Sequence, residues 1–583
     1  MFLKKFNIKN FRCIADISLG FNNGVNILIG ENNSGKTAVI DALRICLSYG
    51  KQWRESYVSI SDFRIDKGTP GDPLGDIEFH LYFEIEKPVE TGIFHDFLCV
   101  VGEDKQELQL HFKYYIDEKK GVQKVKYKVW GGENEGQVIT PEVLDLFYFV
   151  HLDALRDAVQ FLRPIKGNRL GELYSKLVTD NDKKKAMAGK VRKILDDDKD
   201  WSGLILSGRE KVNQHLKETS IDGKEQNVII DFLPFEFRKI VDTLRVQMPV
   251  YNEALIKDGI DQRFLELYQN GLGYNNLIYT AIVLGDLSKQ RELEEEAYIA
   301  LLIEEPEAHL HPQLQNIFFN YLNKLNEIGF QIFISSHSPT ITAKAELDSL
   351  IVLQNQEEKI QSFSVKNSIL DDSNKKYLHK FLDVTKSQLF FSNGVIFVEG
   401  ISEALLIPIF STIIGKEYDI EKKGIELVNL SGVAFEHFGK LFNADDPKFR
   451  LNCRCSILTD DDRDVDDDLS SRAKKAKDLE KNLLKVELAK KTFEFELFTT
   501  GDNQKILMDI FTEMHPTAAG KIQKGSSLEE YAMNFLEKVN SNKAKSELAL
   551  RLALRLQNEP DSRKKFIVPD YITRAIKWVV SGT

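Results

Sequence analysis

The chain has 583 residues, too many for a single hydrophobic core, so we expect two to four domains. Hydrophobic residues make up 42% of it and charged residues 29%, proportions typical of a soluble globular protein. The net charge of −11 argues against a surface that is basic all over, but it allows a local basic groove for nucleic acid. The start lacks a signal-peptide core, no apolar run is long enough for a bilayer, and the five cysteines are scattered, so we expect a cytoplasmic protein without membrane contact.

A phosphate-binding loop follows the first predicted strands. Residues 6–12 predict an opening strand, and residues 30–37 fit the pattern G-x-x-x-x-G-K-[ST] between an apolar strand and a helix-forming stretch. Backbone N–H groups at such a helix start bind phosphates. Lys36 is expected to reach the β- and γ-phosphates, and Thr37 to bind Mg²⁺. The residues predicted to bind ATP here are Gly30, Asn33, Gly35, Lys36 and Thr37.

An antiparallel sheet and a helical region are predicted next. Residues 76–85, 108–115 and 124–130 have the alternating character of strands, which suggests a sheet beside the nucleotide-binding core. From about residue 170 to 263 the sequence becomes helical and charged. That region is either a solvated helical face or an inserted arm for self-association.

A second glycine-rich loop and two carboxylates come before residue 310. Gly271 and Gly273 open a long apolar helix, which makes them a second phosphate-binding loop. Glu304 ends an apolar strand at the position of a ligand for Mg²⁺ and its water, and Glu305 follows as a general base. His309 and His311 allow a zinc site as an alternative, but a turn is favoured there.

A further strand, residues 330–338, ends in His337. Together these motifs resemble the ABC-type ATPases, in which such a histidine senses the γ-phosphate. The loop at residues 270–277 resembles their signature loop, although it lacks the usual Ser-Gly-Gly-Gln wording. The resemblance implies a head-to-tail dimer with two shared ATP sites. The span between the two loops shows no sustained heptad pattern, so long coiled-coil arms are not expected.

After a linker near residues 367–373, a second set of carboxylates ends apolar strands. Glu399 ends one strand, and Glu403 lies four residues on, where a helix is expected to begin. Asp460 and Asp462 follow another strand and point the same way, whereas Asp461 points away. Oxygen ligands at one edge of a parallel sheet predict a site for Mg²⁺ or Mn²⁺. Residues 464–468 are equally acidic but can be surface charge.

The carboxylate pattern resembles the Toprim domain, and an ABC-type ATPase followed by Toprim resembles the OLD (overcoming lysogenization defect) family of ATP-dependent DNA nucleases. The resemblance covers nearly the whole chain. It implies a metal ligand in residues 492–497, where Glu494 is preferred to Glu496, and a lysine in the cleavage site, where Lys545 is preferred to Lys543. The basic stretch 472–491, predicted to be helical, either binds a DNA backbone or is a solvated face.

The predicted fold class is α/β and multi-domain: an ABC-type P-loop ATPase with a helical dimerisation insertion, then a Rossmann-like Toprim nuclease domain with helical C-terminal additions. The predicted bounds are 1–168 and 264–372 for the ATPase, 169–263 for the insertion, 373–391 for the linker and 392–583 for the nuclease domain. The implied mechanism is two-metal hydrolysis of DNA with Lys545 as a catalytic residue, whereas Glu305 and His337 are the predicted catalytic residues of ATP hydrolysis. The predicted metal ligands are Thr37, Glu304, Glu399, Glu403, Asp460, Asp462 and Glu494.

Three other functions remain open from the sequence. The chain could be a non-cutting ATPase of the recombination-mediator kind, a Toprim ribonuclease, or a nuclease for which ATP is only a sensed ligand. The expected partners are duplex DNA of plasmid or phage, further copies of the chain, and a defence partner encoded by a neighbouring gene. Nicking versus double-strand cleavage, sequence preference, dimer versus tetramer and the sign of the ATP effect stay undecided.

Overall fold

The computed structural model describes residues 1–49, 57–65, 73–101, 105–119, 122–154, 158–166, 168–219, 227–232, 235–249, 264–293, 296–325, 329–356, 359–430, 435–461 and 469–582. In chain order, the strands are β1 (Phe2–Phe11), β2 (Ile14–Gly20), β3 (Val25–Ile29), β4 (Ile77–Glu84), β5 (Leu98–Val101), β6 (Lys105–Lys119), β7 (Val122–Gly131), β8 (Phe147–Leu152), β9 (Gln247–Pro249), β10 (Phe264–Glu266), β11 (Tyr298–Glu304), β12 (Gln331–Ser336), β13 (Leu350–Gln356), β14 (Lys359–Ser364), β15 (Gly394–Val398), β16 (Ile425–Asn429), β17 (Arg454–Asp460) and β18 (Leu484–Ala489).

The α-helices, in chain order, are α1 (Lys36–Leu47), α2 (Pro88–Ile93), α3 (Pro141–Leu144), α4 (Ala158–Phe161), α5 (Arg169–Leu177), α6 (Asn181–Asp197), α7 (Lys199–Glu218), α8 (Phe237–Val241), α9 (Leu272–Leu293), α10 (Pro312–Lys324), α11 (Pro339–Lys344), α12 (Asp372–Phe381), α13 (Ile401–Ile414), α14 (Phe435–Gly439), α15 (Ser471–Lys477), α16 (Phe493–Thr499), α17 (Asn503–Met514), α18 (Pro516–Ala519), α19 (Leu528–Ser541), α20 (Lys545–Asn558), α21 (Pro560–Lys565) and α22 (Asp570–Ser581).

Three main sheets organise these elements. An antiparallel sheet has the order β2-β1-β4-β6-β5, with β7 also paired to β6. The second sheet has the order β14-β13-β3-β12-β11-β8 and is parallel except for its edge strand β14. The third is fully parallel, in the order β16-β15-β17-β18. The α/β class, with its antiparallel sheet beside the nucleotide-binding core and a second α/β domain, is therefore confirmed.

Strand β3 shows why the second sheet forms a buried layer. All five of its residues are buried, as expected for a parallel strand covered on both faces. Ile27 and Ile29 pack into one hydrophobic core with α9 and α10, and Leu28 packs into the other with α1 and the antiparallel sheet. Because β12 pairs with β3 and with β11, the loops that follow these three strands leave the same edge of the sheet.

The third sheet repeats this arrangement. Val395 and Phe397 of β15 join the core shared with the nucleotide-binding sheet, whereas Ile396 and Val398 face a separate core formed with α13, α20 and α22. The stretch 472–491, predicted as one helix, is instead the short helix α15 followed by strand β18. That prediction was wrong because residues 484–489 are recruited as the edge strand beside β17.

The region predicted as a helical insertion contains α5, α6, α7 and α8. Helix α5 packs against α9, while α7 has no buried residue. Among the described residues, no helix has both the length and the apolar character that crossing a membrane requires.

Candidate functional site

The loop between β3 and α1 depends on two glycines. Gly30 has φ 146° and Gly35 φ 94°, backbone conformations that favour glycine. A Cβ at Gly30 would lie 2.1 Å from the carbonyl oxygen of Leu353, and one at Gly35 would lie 2.7 Å from Ile360 Cδ1. The loop is therefore pressed against β13 and β14. Asn33 also has a positive φ, 61°, which asparagine tolerates.

The ammonium of Lys36 lies inside this loop. Its Nζ donates hydrogen bonds to the carbonyl oxygens of Gly30 (2.8 Å) and Glu31 (2.7 Å) and to Ser34 Oγ (3.3 Å). Burial lowers the pKa of Lys36 to about 8, against the opposing effect of Glu305 and Glu307. Thr37 is exposed on the first turn of α1. The loop thus carries the lysine ammonium and the exposed hydroxyl that a nucleotide with its Mg²⁺ requires.

The carboxylates after β11 lie at the same sheet edge. Glu304 is buried at the end of β11, and its Oε1 lies 2.8 Å from His151 Nε2 on β8. Glu305 takes a positive φ of 42°, and its side chain is 45% exposed. This turn leaves Glu305 Oε1 3.7 Å from His337 Nε2. Glu305 and His337, predicted from separate strands, are therefore neighbours. Burial, followed by the charge of Lys36, lowers the pKa of His337.

Glu307 also belongs to this site, although no role was predicted for it. Its Oε1 accepts hydrogen bonds from Ser336 Oγ and from the backbone N–H of His337, both at 2.8 Å. Burial raises the pKa of this carboxyl group. Glu307 therefore anchors the end of β12 that carries His337. The signal available in the sequence was its position two residues after Glu305, in the same acidic stretch.

The predicted signature loop lies at the start of α9. Gly271 and Gly273 are not buried, and a Cβ at Gly273 would lie 2.4 Å from the carbonyl oxygen of His309. Leu272 and Tyr274, between and after them, are each 57% exposed. Near this turn, His311 Nδ1 accepts a hydrogen bond from the N–H of Gln313 at 3.4 Å, so it caps α10. Among the described residues, no group of three or more His, Cys, Asp or Glu side chains lies close enough together to hold a metal ion as the side chains stand, either at this turn or elsewhere.

The second cluster of carboxylates lies at the edge of the third sheet. Glu399 follows β15, and its Oε1 accepts hydrogen bonds from the N–H of Asp460 (3.1 Å) and from Thr459 Oγ1. Glu403 is in the first turn of α13. Burial, with smaller contributions from Glu494 and Glu399, raises the pKa of Glu403 to about 7. Asp462 lies outside the described residues.

Glu494 and Lys545 complete this cluster. Glu494 is buried in the first turn of α16 and accepts a hydrogen bond from Lys545 Nζ at 3.0 Å. Burial opposes the charge of Lys545, but Glu494, Asp460 and Glu403 raise its pKa overall. Glu496 instead accepts a hydrogen bond from the backbone N–H of Lys490 at 2.9 Å. The structure therefore places Glu494 and Lys545 together with Glu403 and Asp460.

The chemistry of these donors fits hard divalent cations. The candidate ligands are carboxylates, and the charges of Glu494 and Glu399 add to the burial that raises the pKa of Glu403, a repulsion that a bound cation would relieve. Two of the carboxylates form salt bridges with basic side chains: Glu494 with Lys545, and Glu399 with Arg472. Burial, with smaller contributions from Asp460 and Glu403, raises the pKa of Tyr571. The sequence assigned neither Arg472 nor Tyr571 to the site.

A cavity lies between the nucleotide loop and the third sheet. It encloses about 1080 Å³ including its open mouth and is lined by Glu31 and His337 on one side and by Ser392 and Glu426 on the other. On the same boundary, the N–H of Asn452 donates to Gln354 Oε1 on β13 (2.9 Å), and its Nδ2 donates to Gln361 Oε1 on β14 (2.8 Å). The two candidate sites therefore belong to one packed unit.

Comparison with known proteins matches both halves of the chain. A family described as "AAA ATPase domain" matches residues 1–258 and 168–342, and "Overcoming lysogenization defect protein-like, TOPRIM domain" matches residues 390–462. The chain is 24% identical to the Old nuclease of Escherichia phage P2 over 78% of each chain. It is 25% identical to the OLD nuclease of Thermus scotoductus, over 74% of this chain and 78% of that one. It is 29% identical to the endonuclease GajA of Bacillus cereus, over 41% of this chain and 38% of that one.

Proposed function

This chain belongs to the AAA ATPase domain family and has the TOPRIM domain of the OLD-like proteins, and from that premise we propose that it is an ATP-dependent, divalent-metal-dependent DNA endonuclease. The observation that carries the proposal is the cluster in which Glu399, hydrogen-bonded to the backbone of Asp460, lies with Glu403, Glu494 and Lys545 at one sheet edge. An ATPase that only holds DNA does not need buried and half-buried carboxylates with a lysine in that arrangement.

In the proposed reaction, the divalent ions would be held by Glu399, Glu403, Asp460, Asp462 and Glu494. Two such ions, Mg²⁺ or Mn²⁺, would activate the attacking water and stabilise the leaving oxygen. Glu403 must lose its proton to act as a ligand, so its raised pKa links metal binding to pH near 7. Lys545, positioned by Glu494, stabilises the negative charge that develops on the phosphate.

In the proposed ATP site, Gly30, Asn33 and Gly35 shape the loop around the phosphates. Lys36 would exchange its contacts with the loop for contacts with the β- and γ-phosphates, and Thr37 and Glu304 would hold Mg²⁺ and its water. Glu305 polarises the attacking water, and His337, beside it, contacts the γ-phosphate. Gly271 and Gly273, with the exposed Leu272 and Tyr274, bind the ATP of a second copy in a head-to-tail dimer.

We propose duplex DNA of phage or plasmid as the substrate, cleaved in the cytoplasm, in a role that protects the host against phage. The proposal also includes a defence partner protein that is encoded by a neighbouring gene. The proposed boundaries are an ATPase in residues 1–168 and 264–372, a dimerisation insertion in 169–263, a linker in 373–391 and a nuclease domain in 392–583.

The nuclease assignment is tested by Asp460→Ala. We expect metal-dependent cleavage of a labelled DNA duplex to fall at least about a hundredfold, because a metal ligand is lost, while ATP hydrolysis stays near the wild-type rate. Asp509→Ala, on the exposed side of α17, is the matched control and should leave both activities unchanged. Undiminished cutting by Asp460→Ala would sink the assignment. Cleavage of a matched RNA strand in place of DNA would show that the substrate is RNA.

A further inference from the structure

Arg472 lies in the basic stretch that the sequence linked to a DNA backbone, but its side chain turns inward. It belongs to the short helix α15, whose neighbouring Lys474, Lys475 and Lys477 are exposed. The side chain of Arg472 is 32% exposed, and its Nη2 forms an ion pair with Glu399 Oε2. The guanidinium therefore contacts a predicted metal ligand directly.

Asp461 holds the start of α15 next to the nuclease centre, the carboxylate cluster of Glu399, Glu403, Asp460 and Glu494. Asp461 is 1% exposed, and its Oδ1 accepts a hydrogen bond from the N–H of Ser470 at 3.2 Å. Ser470 in turn caps α15, since its Oγ accepts a hydrogen bond from the N–H of Ala473 at 3.1 Å. Asp461, adjacent to Asp460, thus positions the helix so that Arg472 is directed at Glu399.

The two oxygens of Glu399 have different partners. Oε1 accepts hydrogen bonds from Thr459 Oγ1 and from the N–H of Asp460, whereas Oε2 faces Arg472. Since two donors already occupy Oε1, Oε2 is the oxygen that can best ligate a cation. A guanidinium and a divalent ion both require that oxygen, so they compete for it.

We propose that Arg472 is a positioning residue that holds Glu399 before metal binds and must release it when a divalent ion arrives, so that it sets the metal affinity of the nuclease centre. This inference rests on the proposed function, because it takes Glu399 as a ligand. Arg472 keeps the carboxylate paired and in place, which avoids an unpaired charge, but the pairing weakens metal binding.

The test is a Mn²⁺ titration of the full-length protein without nucleotide, in which free Mn²⁺ is followed by electron paramagnetic resonance. The affinity of the nuclease site is obtained from the difference between the titrations of wild type and Asp460→Ala, because that substitution removes a predicted metal ligand of this site. Arg472→Gln should bind Mn²⁺ about tenfold more tightly than wild type, because the competing cation is gone. Arg472→Lys keeps the charge but loses the fork of donors, so its affinity should lie between the two.

Lys475→Gln is the matched control, because it removes a positive charge from the same helix on its exposed side. It should stay within about twofold of wild type, since exposed charges are screened. Equal or weaker Mn²⁺ binding by Arg472→Gln overturns the inference, as does an equal gain from Lys475→Gln. If Arg472→Gln does not fold, judged by its thermal melt and ATP binding, Arg472→Lys decides by the same criterion. If Asp460→Ala titrates like wild type, the proposed metal site itself is wrong, whatever Arg472 does.

Discussion

The Lys36 ammonium occupies the loop in which phosphates are expected to bind. Its three acceptors are two backbone carbonyls and Ser34 Oγ, none of which carries a full negative charge. Burial therefore lowers the pKa of Lys36 to about 8. Phosphate oxygens would raise the pKa of Lys36, because they bring negative charge next to its ammonium group.

ATP binding is therefore predicted to take up protons in a pH-dependent way. At pH 6 Lys36 is already protonated, so uptake should be near zero; at pH 8 it should be about half a proton, and larger at pH 9. Calorimetric titration in buffers of different ionisation enthalpy measures this number. ADP should give a smaller uptake than ATP, since it lacks the γ-phosphate. Proton uptake that does not change between pH 6 and pH 9 would contradict the assignment of Lys36.

At the scale of elements, strand ends determine both sites. β3, β11 and β12 present the loop, the carboxylates and His337 at one edge, and β15 and β17 present Glu399 and Asp460 at another. A parallel strand buried on both faces cannot carry a charge in its middle without a large desolvation cost, so the charged residues come at its last position or directly after it. This rule is why the sequence alone placed these residues correctly at strand ends.

The packing of the loop onto β13 leads to a second prediction. Gly30→Ala should lower the free energy of unfolding by at least about 2 kcal/mol and abolish ATP binding, because its Cβ would overlap the Leu353 carbonyl and its φ is strained for alanine. Gly285→Ala, within α9, is the control: its Cβ would lie 3.6 Å from Leu173 Cδ2, an ordinary contact. Thermal or urea unfolding should show it unchanged or more stable by up to about 1 kcal/mol. Equal stability of the two variants would contradict this packing.

The sequence did not reveal contacts that depend on how loops fold back. Glu307 reaches the end of β12 because Glu305 adopts a positive φ, which no local pattern specified. In the sequence, Arg472 cannot be told apart from the exposed lysines of the same basic stretch. The hydrogen bond between Ser470 and Asp461 sets the start of its helix, and the side chain then pairs with Glu399. The stretch around β18 was assigned to a helix because its charge pattern gave no sign of a neighbouring edge strand. These features follow from tertiary contacts rather than from periodicity.

At the scale of the whole molecule, the nucleotide loop and the nuclease sheet share a boundary. β13 pairs with β3 beneath the loop, and Asn452, just before β17, is hydrogen-bonded to Gln354 and Gln361 of β13 and β14. The cavity beside Glu31 and His337 is lined on its other side by Ser392, which precedes β15, and by Glu426 of β16. The nucleotide loop and the sheet that carries Glu399 and Asp460 are therefore linked through contacts at this boundary. This is the physical basis for the proposed coupling of ATP to DNA cleavage.

The most direct test incubates the full-length protein with supercoiled plasmid and Mg²⁺ or Mn²⁺, each with and without ATP, and follows conversion to nicked and linear DNA. We predict conversion that requires the divalent metal and whose rate changes when ATP is present. The sign of that change will show whether nucleotide opens or restrains the nuclease centre. Plasmid that stays supercoiled under every condition, while the same preparation hydrolyses ATP, would contradict the proposal that this chain cuts DNA.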